Sequence, residues 1–238
     1  MSAPWAAIRT LLAVGGSGLL FARATMGFQA FTTDTARART IATSPVPVPT
    51  TSLLDGYGRR PALADGKRVT IVQFFYTRCT SVCATTGDAF QRLQAAVKRR
   101  GLSSEIRLLS ISFDPTWDTP DRLRSYARFL RPDTAIWSIA TLQHPAQLPA
   151  LLDLFGVRVI PDGRGGLIHN AAFHVVDRQG QLIAIEPIAE PPLDSRGRAD
   201  VLSREAFDTA IEGALEVAVE AARRAPVRMA SSASDDHE

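Results

Sequence analysis

The chain has 238 residues, 45% of them hydrophobic and 21% charged, with 16 glycines and 15 prolines, a balance that suits one sizeable globular domain and excludes a disordered or collagen-like chain. Its two cysteines exclude a disulfide-rich scaffold or a zinc-ribbon array, which need four or more thiols. The net charge of +3 resides in the first 60 residues, which carry six arginines against two aspartates; the nearly neutral remainder has no Lys/Arg stripe interleaved with aromatics, which excludes nucleic-acid binding.

Between Arg9 and Arg23 lie thirteen uncharged residues, Thr10 to Ala22, the length of a signal-peptide apolar region. Continuing past a snorkelling Arg23 to Phe31 gives 22 residues, enough for a membrane span. Residues 1–31 therefore read as a signal peptide, with Ala22-Arg23-Ala24 as a cleavage pattern, or as a transmembrane anchor. Either way the C-terminal body crosses a membrane, on the periplasmic side of an inner membrane. A buried helix is the bland alternative, weakened by Gly15, Gly16 and Gly18. Residues 32–52 turn polar and then proline-rich (Pro45, Pro47, Pro49) and read as an extended tether.

The folded domain is expected over 53–224. Leu53–Gly56 and Pro61–Gly66 suggest two short edge strands or a hairpin. Val69–Tyr76 (VTIVQFFY) is a continuous apolar run, the pattern of a central strand buried on both faces. After the cysteines, Phe90, Leu93, Ala96 and Val97 recur at helical spacing, and Lys98-Arg99-Arg100-Gly101 ends that helix. Arg107–Phe113 is a second core strand. Thr119-Pro120-Asp121 puts an N-cap, a first-turn proline and an acid before the next helix. A strand is expected at Ala135–Ala140, a helix at Pro145–Phe155 closed by Gly156, and two strands, Ala171–Val176 and Leu182–Glu186, around the Asp177–Gly180 turn. A last amphipathic helix covers Ser203–Arg224, and 225–238 reads as a disordered tail. This order, α/β with a closing antiparallel hairpin and helix, predicts a thioredoxin-like fold: a central mixed sheet flanked by helices.

Cys79 and Cys83 (CTSVC) follow the first buried strand, at the sheet edge where sites form in open α/β folds. Residues four apart on a helix have Cβ atoms about 5–6 Å apart, wider than the roughly 3.5–4.5 Å of a disulfide. That spacing favours two thiolates on one soft metal ion and still allows a disulfide if the first turn distorts. A helix N-terminus beside Arg78 raises the thiolate fraction that either chemistry needs. Two space-filling buried cysteines are the bland alternative. Of the four histidines, His169 lies in a glycine-rich stretch (Gly163, Gly165, Gly166) just ahead of the Ala171 strand, which reads as a mobile loop end able to swing an imidazole toward a metal, and is the candidate third ligand. His174, five residues on, faces the other way in a regular strand and reads as packed or surface. His144 reads as a helix-start residue and His237 as tail. Two thiolates and one imidazole suit Cu(I) better than zinc, which usually takes four ligands. Asp118 most simply helps to start the helix after it, Asp114 reads equally as structural or as lining the cleft, and Trp117 reads as an exposed docking aromatic or a lid.

The runs VQFFYTRCTSVC, SISFDPTWDTP and IHNAAFHVVDRQG together resemble the Sco/SenC family of copper-binding thioredoxin-fold proteins, over roughly Pro47 to Glu190. The shared pattern is the Cys79/Cys83 pair, Asp114-Pro115 with Asp118-Thr119-Pro120, and His169 ahead of Gly180. The resemblance implies an export or anchor helix, copper held by Cys79, Cys83 and His169, and assembly of the dinuclear copper centre of cytochrome c oxidase. Its partners would be the oxidase copper-binding subunit and an upstream copper donor or thiol reductant. The sequence departs from the family at Ala84 and Arg178, where prolines are usual, and at Ile168, where an acid usually precedes the histidine and would help to orient it. Three functional classes follow: a copper chaperone, a thiol-disulfide oxidoreductase using Cys79 and Cys83 as a redox pair without an obligatory metal, and, less well supported, a peroxidase.

Overall fold

The computed structural model describes residues 33–78, 82–163, 165–188 and 204–224, with positions 9, 14 and 17 nearer the N-terminus. In chain order it forms α1 (Thr33–Thr43), β1 (Val46–Pro47), β2 (Leu53–Asp55), β3 (Val69–Phe75), α2 (Val82–Arg99), β4 (Ile106–Ser112), α3 (Pro120–Leu130) and β5 (Trp137–Leu142). A 3-10 turn (Pro145–Gln147) then leads into α4 (Leu148–Phe155), β6 (Val159–Pro161), β7 (Leu167–His169), β8 (Ala172–Val176), β9 (Gln181–Pro187) and α5 (Arg204–Arg223).

Seven strands make one mixed sheet in the order β1-β9-β8-β3-β4-β5-β2. Strands β3, β4 and β5 run parallel at its centre, and β8–β9 is an antiparallel hairpin beside β3. Every residue of β3 and β4 is buried, as the continuous apolar run of β3 requires. Successive side chains still alternate: Val69, Ile71 and Phe75 join the core under α2, α3 and α5, whereas Val72, Phe74 and Tyr76 join the core under α1 and α4. One polar cluster spans these strands and β5. Ser110 Oγ accepts from Gln73 Nε2 at 2.8 Å and from buried Trp137 Nε1 at 2.9 Å, so the indole N–H is not stranded at a cost of about 1–3 kcal/mol. The thioredoxin-like architecture read from the sequence is present.

Several boundaries agree closely with the sequence pattern. Helix α3 begins at a first-turn proline after Thr119, and α4 closes on Gly156 at φ +69°, where a side chain would strain the left-handed turn. Gly180, at φ +76°, closes the hairpin between β8 and β9.

Three segments differ from expectation. Pro61–Gly66 is not a strand: the Asp65 carboxylate accepts from the backbone N–H groups of Lys67 and Arg68, at 2.9 and 2.7 Å, and so folds a turn there. Residues 32–52 are not an extended tether. Thr33–Thr43 is helical, buries Ile41, and donates Arg37 to the carbonyls of Asp153 and Leu154, while Val46–Pro47 pairs with β9. Its single large apolar anchor, Ile41, gives too weak a helical period to read. The third surprise is the separate two-stranded ribbon β6–β7, where a glycine-rich loop was expected. Most of the expected signal or anchor segment, 1–31, and all of the tail, 225–238, lie outside the described residues, among which no helix is long and apolar enough to cross a membrane.

Candidate metal centre

Strand β3 delivers the chain to the C-terminal edge of the sheet, where Tyr76, Thr77 and Arg78 lead into Cys79. Two acids hold this exit. The carboxylate of Asp118, fully buried, accepts the Thr77 backbone N–H at 3.1 Å and the hydroxyls of Thr77 and Ser112. It thereby ties the ends of β3 and β4 together. Burial raises its pKa above the usual carboxylate value, and the charge of Asp114 adds to this, against the lowering effect of the Ser112 and Thr77 hydrogen bonds. The expectation that Asp118 helps to start α3 is corrected: the cap position is Thr119, which makes no side-chain cap bond. The Asp118 side chain turns inward because parallel pairing of β3 with β4 brings three donors to it.

The second acid, Asp114, accepts Arg78 Nη2 at 2.5 Å and Nε at 3.1 Å, fixing the residue just before Cys79. Its effect on Cys79 runs through Arg78. The same guanidinium stacks over Trp117, 4.5 Å from its ring centre.

Cys79 and the side chain of Cys83 lie outside the described residues; Cys83 is the second residue of α2. His169 ends β7 and is brought to the same edge. The Tyr76 hydroxyl donates to the Leu167 carbonyl at 2.9 Å and accepts the Leu167 N–H at 3.1 Å, which docks the β6–β7 ribbon on the end of β3. The imidazole then stands edge-on to Phe113, with ring centres 4.9 Å apart, and near Tyr76 at 6.5 Å. Its Nδ1 is 3.0 Å from the Asn170 carbonyl. A carbonyl only accepts, so in a neutral ring a hydrogen bond here places the proton on Nδ1 and leaves the lone pair on Nε2, the form in which histidine binds a metal.

Asn170 is itself held. Its side chain accepts the Arg158 N–H at 2.7 Å and donates to the Gly156 carbonyl at 3.0 Å and to Asp34 of α1 at 3.3 Å. The orienting group for His169 is thus a backbone carbonyl rather than an acid at position 168, and Ile168 is exposed. Sequence reasoning missed Tyr76 and Asn170. The only signals were a hydroxyl at the end of an apolar run and an amide beside the histidine.

The other histidines have separate places. His174 is buried between Phe74 and Phe155, with Nε2 3.0 Å from the Phe155 carbonyl and Nδ1 3.4 Å from that of Val72. Burial lowers its pKa to about 4, so it is a neutral core residue. His144 precedes the 3-10 turn as expected, and His237 lies outside the described residues. Among the described residues no three His, Cys, Asp or Glu side chains form a metal-holding group. A groove of about 510 Å³ between α1, β9 and α5 is lined by none of the residues at this edge.

Tyr76→Phe removes both hydroxyl bonds to Leu167 and keeps the ring. The expected cost is about 1–2 kcal/mol, with faster hydrogen exchange at the Leu167 amide. Unchanged exchange there would mean that packing alone seats the ribbon.

Residues 53–196 match the family described as SCO1/SenC. A Bacillus subtilis protein described as a SCO1 homolog is 24% identical over 130 residues, half of this chain and 66% of that protein, so just under two thirds of its length is spanned. Among solved structures, Bradyrhizobium japonicum ScoI with copper bound superposes with a TM-score of 0.53 at 20% identity, covering 73% of this chain and 99% of that one. BsSco, a member of the Sco family of cytochrome c oxidase assembly proteins in which a disulfide switch was identified, gives 0.57 at 18% identity over 74% and 95%.

Proposed function

This chain belongs to the SCO1/SenC family, and from that premise we propose that it carries copper on Cys79, Cys83 and His169 and hands it to the dinuclear copper centre of cytochrome c oxidase during assembly. One observation carries the reading: His169 Nδ1 lies 3.0 Å from the Asn170 carbonyl, a partner that favours the tautomer with its lone pair on Nε2, on a ribbon docked at the edge from which the cysteine segment departs. A buried packing histidine, of which His174 is the internal example, has both ring nitrogens against backbone carbonyls instead. Copper is bound in the solved structure of the B. japonicum relative. Two soft thiolates with one imidazole suit the cuprous ion, which accepts low coordination.

Transfer is an exchange of ligands. A thiolate of the oxidase copper-binding subunit adds to the ion as one of the three donors leaves, so no redox partner is consumed. An upstream donor reloads the site. In this reading residues 1–31 export or anchor the body, which works on the periplasmic side of the inner membrane.

The second reading is thiol reduction, favoured by the disulfide switch of BsSco and by the place of Cys83 in the first turn of α2. One thiolate attacks a disulfide of the partner, a mixed disulfide forms, and the second thiolate expels the partner's sulfur. The Cys79/Cys83 pair gives up two electrons and ends as a disulfide, the partner gains two thiols, and an upstream thiol reductant resets the pair.

Copper titration of the reduced protein separates the two. The carrier reading expects about one cuprous ion per chain, with affinity weakened on the order of a hundredfold in His169→Ala, while disulfide reduction by that variant stays intact. Metal-free protein with both thiols free, or a His169→Ala variant that binds copper like the parent, would overturn it.

A further inference from the structure

Asp34 stands in the first turn of α1, ahead of residue 53 where the family match begins, yet its contacts lead to the residue beside His169. Arg158 Nη1 and Nη2 donate to its two carboxylate oxygens at 2.6 and 2.9 Å, and Asn170 Nδ2 donates to one of the same oxygens at 3.3 Å. An ion pair this exposed adds little stability. A two-point fork does, however, fix direction as well as distance, so its consequence here is geometric.

Arg158 and Asn170 flank the end of the β6–β7 ribbon, just beyond the last register pair, Val159 with His169. There the Asn170 side chain stands in for the next rung. Its Oδ1 accepts the Arg158 backbone N–H at 2.7 Å, and its Nδ2 donates to the Gly156 carbonyl at 3.0 Å. One amide thus joins the end of α4, the residue before β6 and the start of α1. Held at three points, it restrains the Asn170 backbone, whose carbonyl is the group 3.0 Å from His169 Nδ1. Helix α1 is seated in turn: Ile41 is buried, and Arg37 donates to the carbonyls of Asp153 and Leu154 in the last turn of α4, where a helix favours a cation.

We infer that Asp34 and Arg158 are positioning residues for His169: acting through Asn170 they hold the imidazole in its metal-binding orientation, so that helix α1 governs how tightly the site holds its ion. The inference rests on the carrier reading for the identity of the ion; the chain of contacts stands without it. A ligand whose orienting group is loose must be ordered as the ion binds, and groups that orient ligands contribute about ten- to a hundredfold in affinity. Asp34 lies one contact behind the orienting carbonyl, which places its share at the lower end of that range.

The test reads the full, reduced chain without metal and then with the cuprous ion. Without metal, at about pH 8.5 where an unperturbed imidazole is neutral, the nitrogen and carbon shifts of His169 report its two tautomers. The parent is expected to keep the proton on Nδ1, and Asp34→Ala, Arg158→Ala and Asn170→Ala to move toward a mixture. Asp34→Asn retains an oxygen acceptor and is expected to return part of the way. With copper, Asp34→Ala is expected to bind about tenfold more weakly. Because Asp34 acts through Asn170, the double variant Asp34→Ala/Asn170→Ala should bind no more weakly than Asn170→Ala alone. Lys98→Ala is the control: it breaks an ion pair with Asp133 in the last turn of α2 and should match the parent in both readings. Parent-like tautomers or parent-like affinity in Asp34→Ala, or additive losses in the double variant, overturn the inference. A parent that takes up no copper retires the carrier reading, and the metal-free tautomer series still decides whether α1 positions His169.

Discussion

Asp118→Ala is expected to destabilise the protein by about 3 kcal/mol and to loosen the segment that leads into Cys79. The carboxylate accepts three hydrogen bonds, from the Thr77 N–H, the Thr77 hydroxyl and the Ser112 hydroxyl. Hydrogen bonds to a charged group contribute about 1.5–3 kcal/mol each, and a buried donor left without a partner costs about 1–3 kcal/mol. The sum overshoots, because the carboxylate bears its own burial penalty, visible as its raised pKa. Two hydroxyls can also rotate to other acceptors, whereas the Thr77 N–H cannot. Asp118→Asn keeps an acceptor for that N–H and is expected to recover more than half of the loss. Urea midpoints measure the energies, and hydrogen exchange at the Thr77 amide locates them. An alanine variant within about 0.5 kcal/mol of the parent, the range of an ordinary surface substitution, would show that the two strand ends need no tie.

The second large effect is a loss of stability on acidification, traced to His174. In the folded protein its pKa is lowered from 6.5 to about 4, first by burial and then by the charge of Arg37, against the opposing hydrogen bonds to Val72 and Phe155. The unfolded chain takes up a proton near 6.5 while the folded chain does not, so the unfolded state binds more protons across that interval. Stability is therefore complete above about pH 6.5 and falls as pH drops toward about 4, by up to about 3 kcal/mol. Asp118 and Glu186 have raised values and act in the opposite sense, gaining stability as pH falls. The difference between the parent and His174→Gln isolates the imidazole. Denaturation at closely spaced pH values should give a His174→Gln curve with a flatter acid limb; parallel curves would reassign the effect.

The parts of this fold legible in the sequence are those where one physical pattern dominates. A continuous apolar run marked β3, and the Thr-Pro and Phe-Gly junctions marked the start of α3 and the end of α4. The fold class followed from that order. Strands β6 and β7 were not legible, since three residues each give no period, and the glycines pointed to a loop instead. Helix α1 hid for a related reason: its hold on the body comes from Arg37 and Asp34, side chains whose partners are more than 100 residues away. At the site, the motif singled out Cys79, Cys83 and His169 as candidates. What orients the imidazole was hidden, because the carbonyl of Asn170 belongs to no motif and the hydroxyl of Tyr76 finds its ribbon only after the chain has folded. Asp118 was misread because local spacing reports the next helix and is silent about a neighbouring strand.

The docking of α1 enlarges the cooperative unit beyond the stretch that matches the family. The family match begins at residue 53, yet Asp34 braces Asn170 and Arg158, and Ile41 fills the core against which α4 packs. A fragment trimmed to the recognisable boundary would keep all three proposed copper ligands and lose the brace behind one of them. Truncations for crystallisation or titration should therefore begin at or before Thr33, and a weak metal site in a shorter piece would report on the cut rather than on the protein.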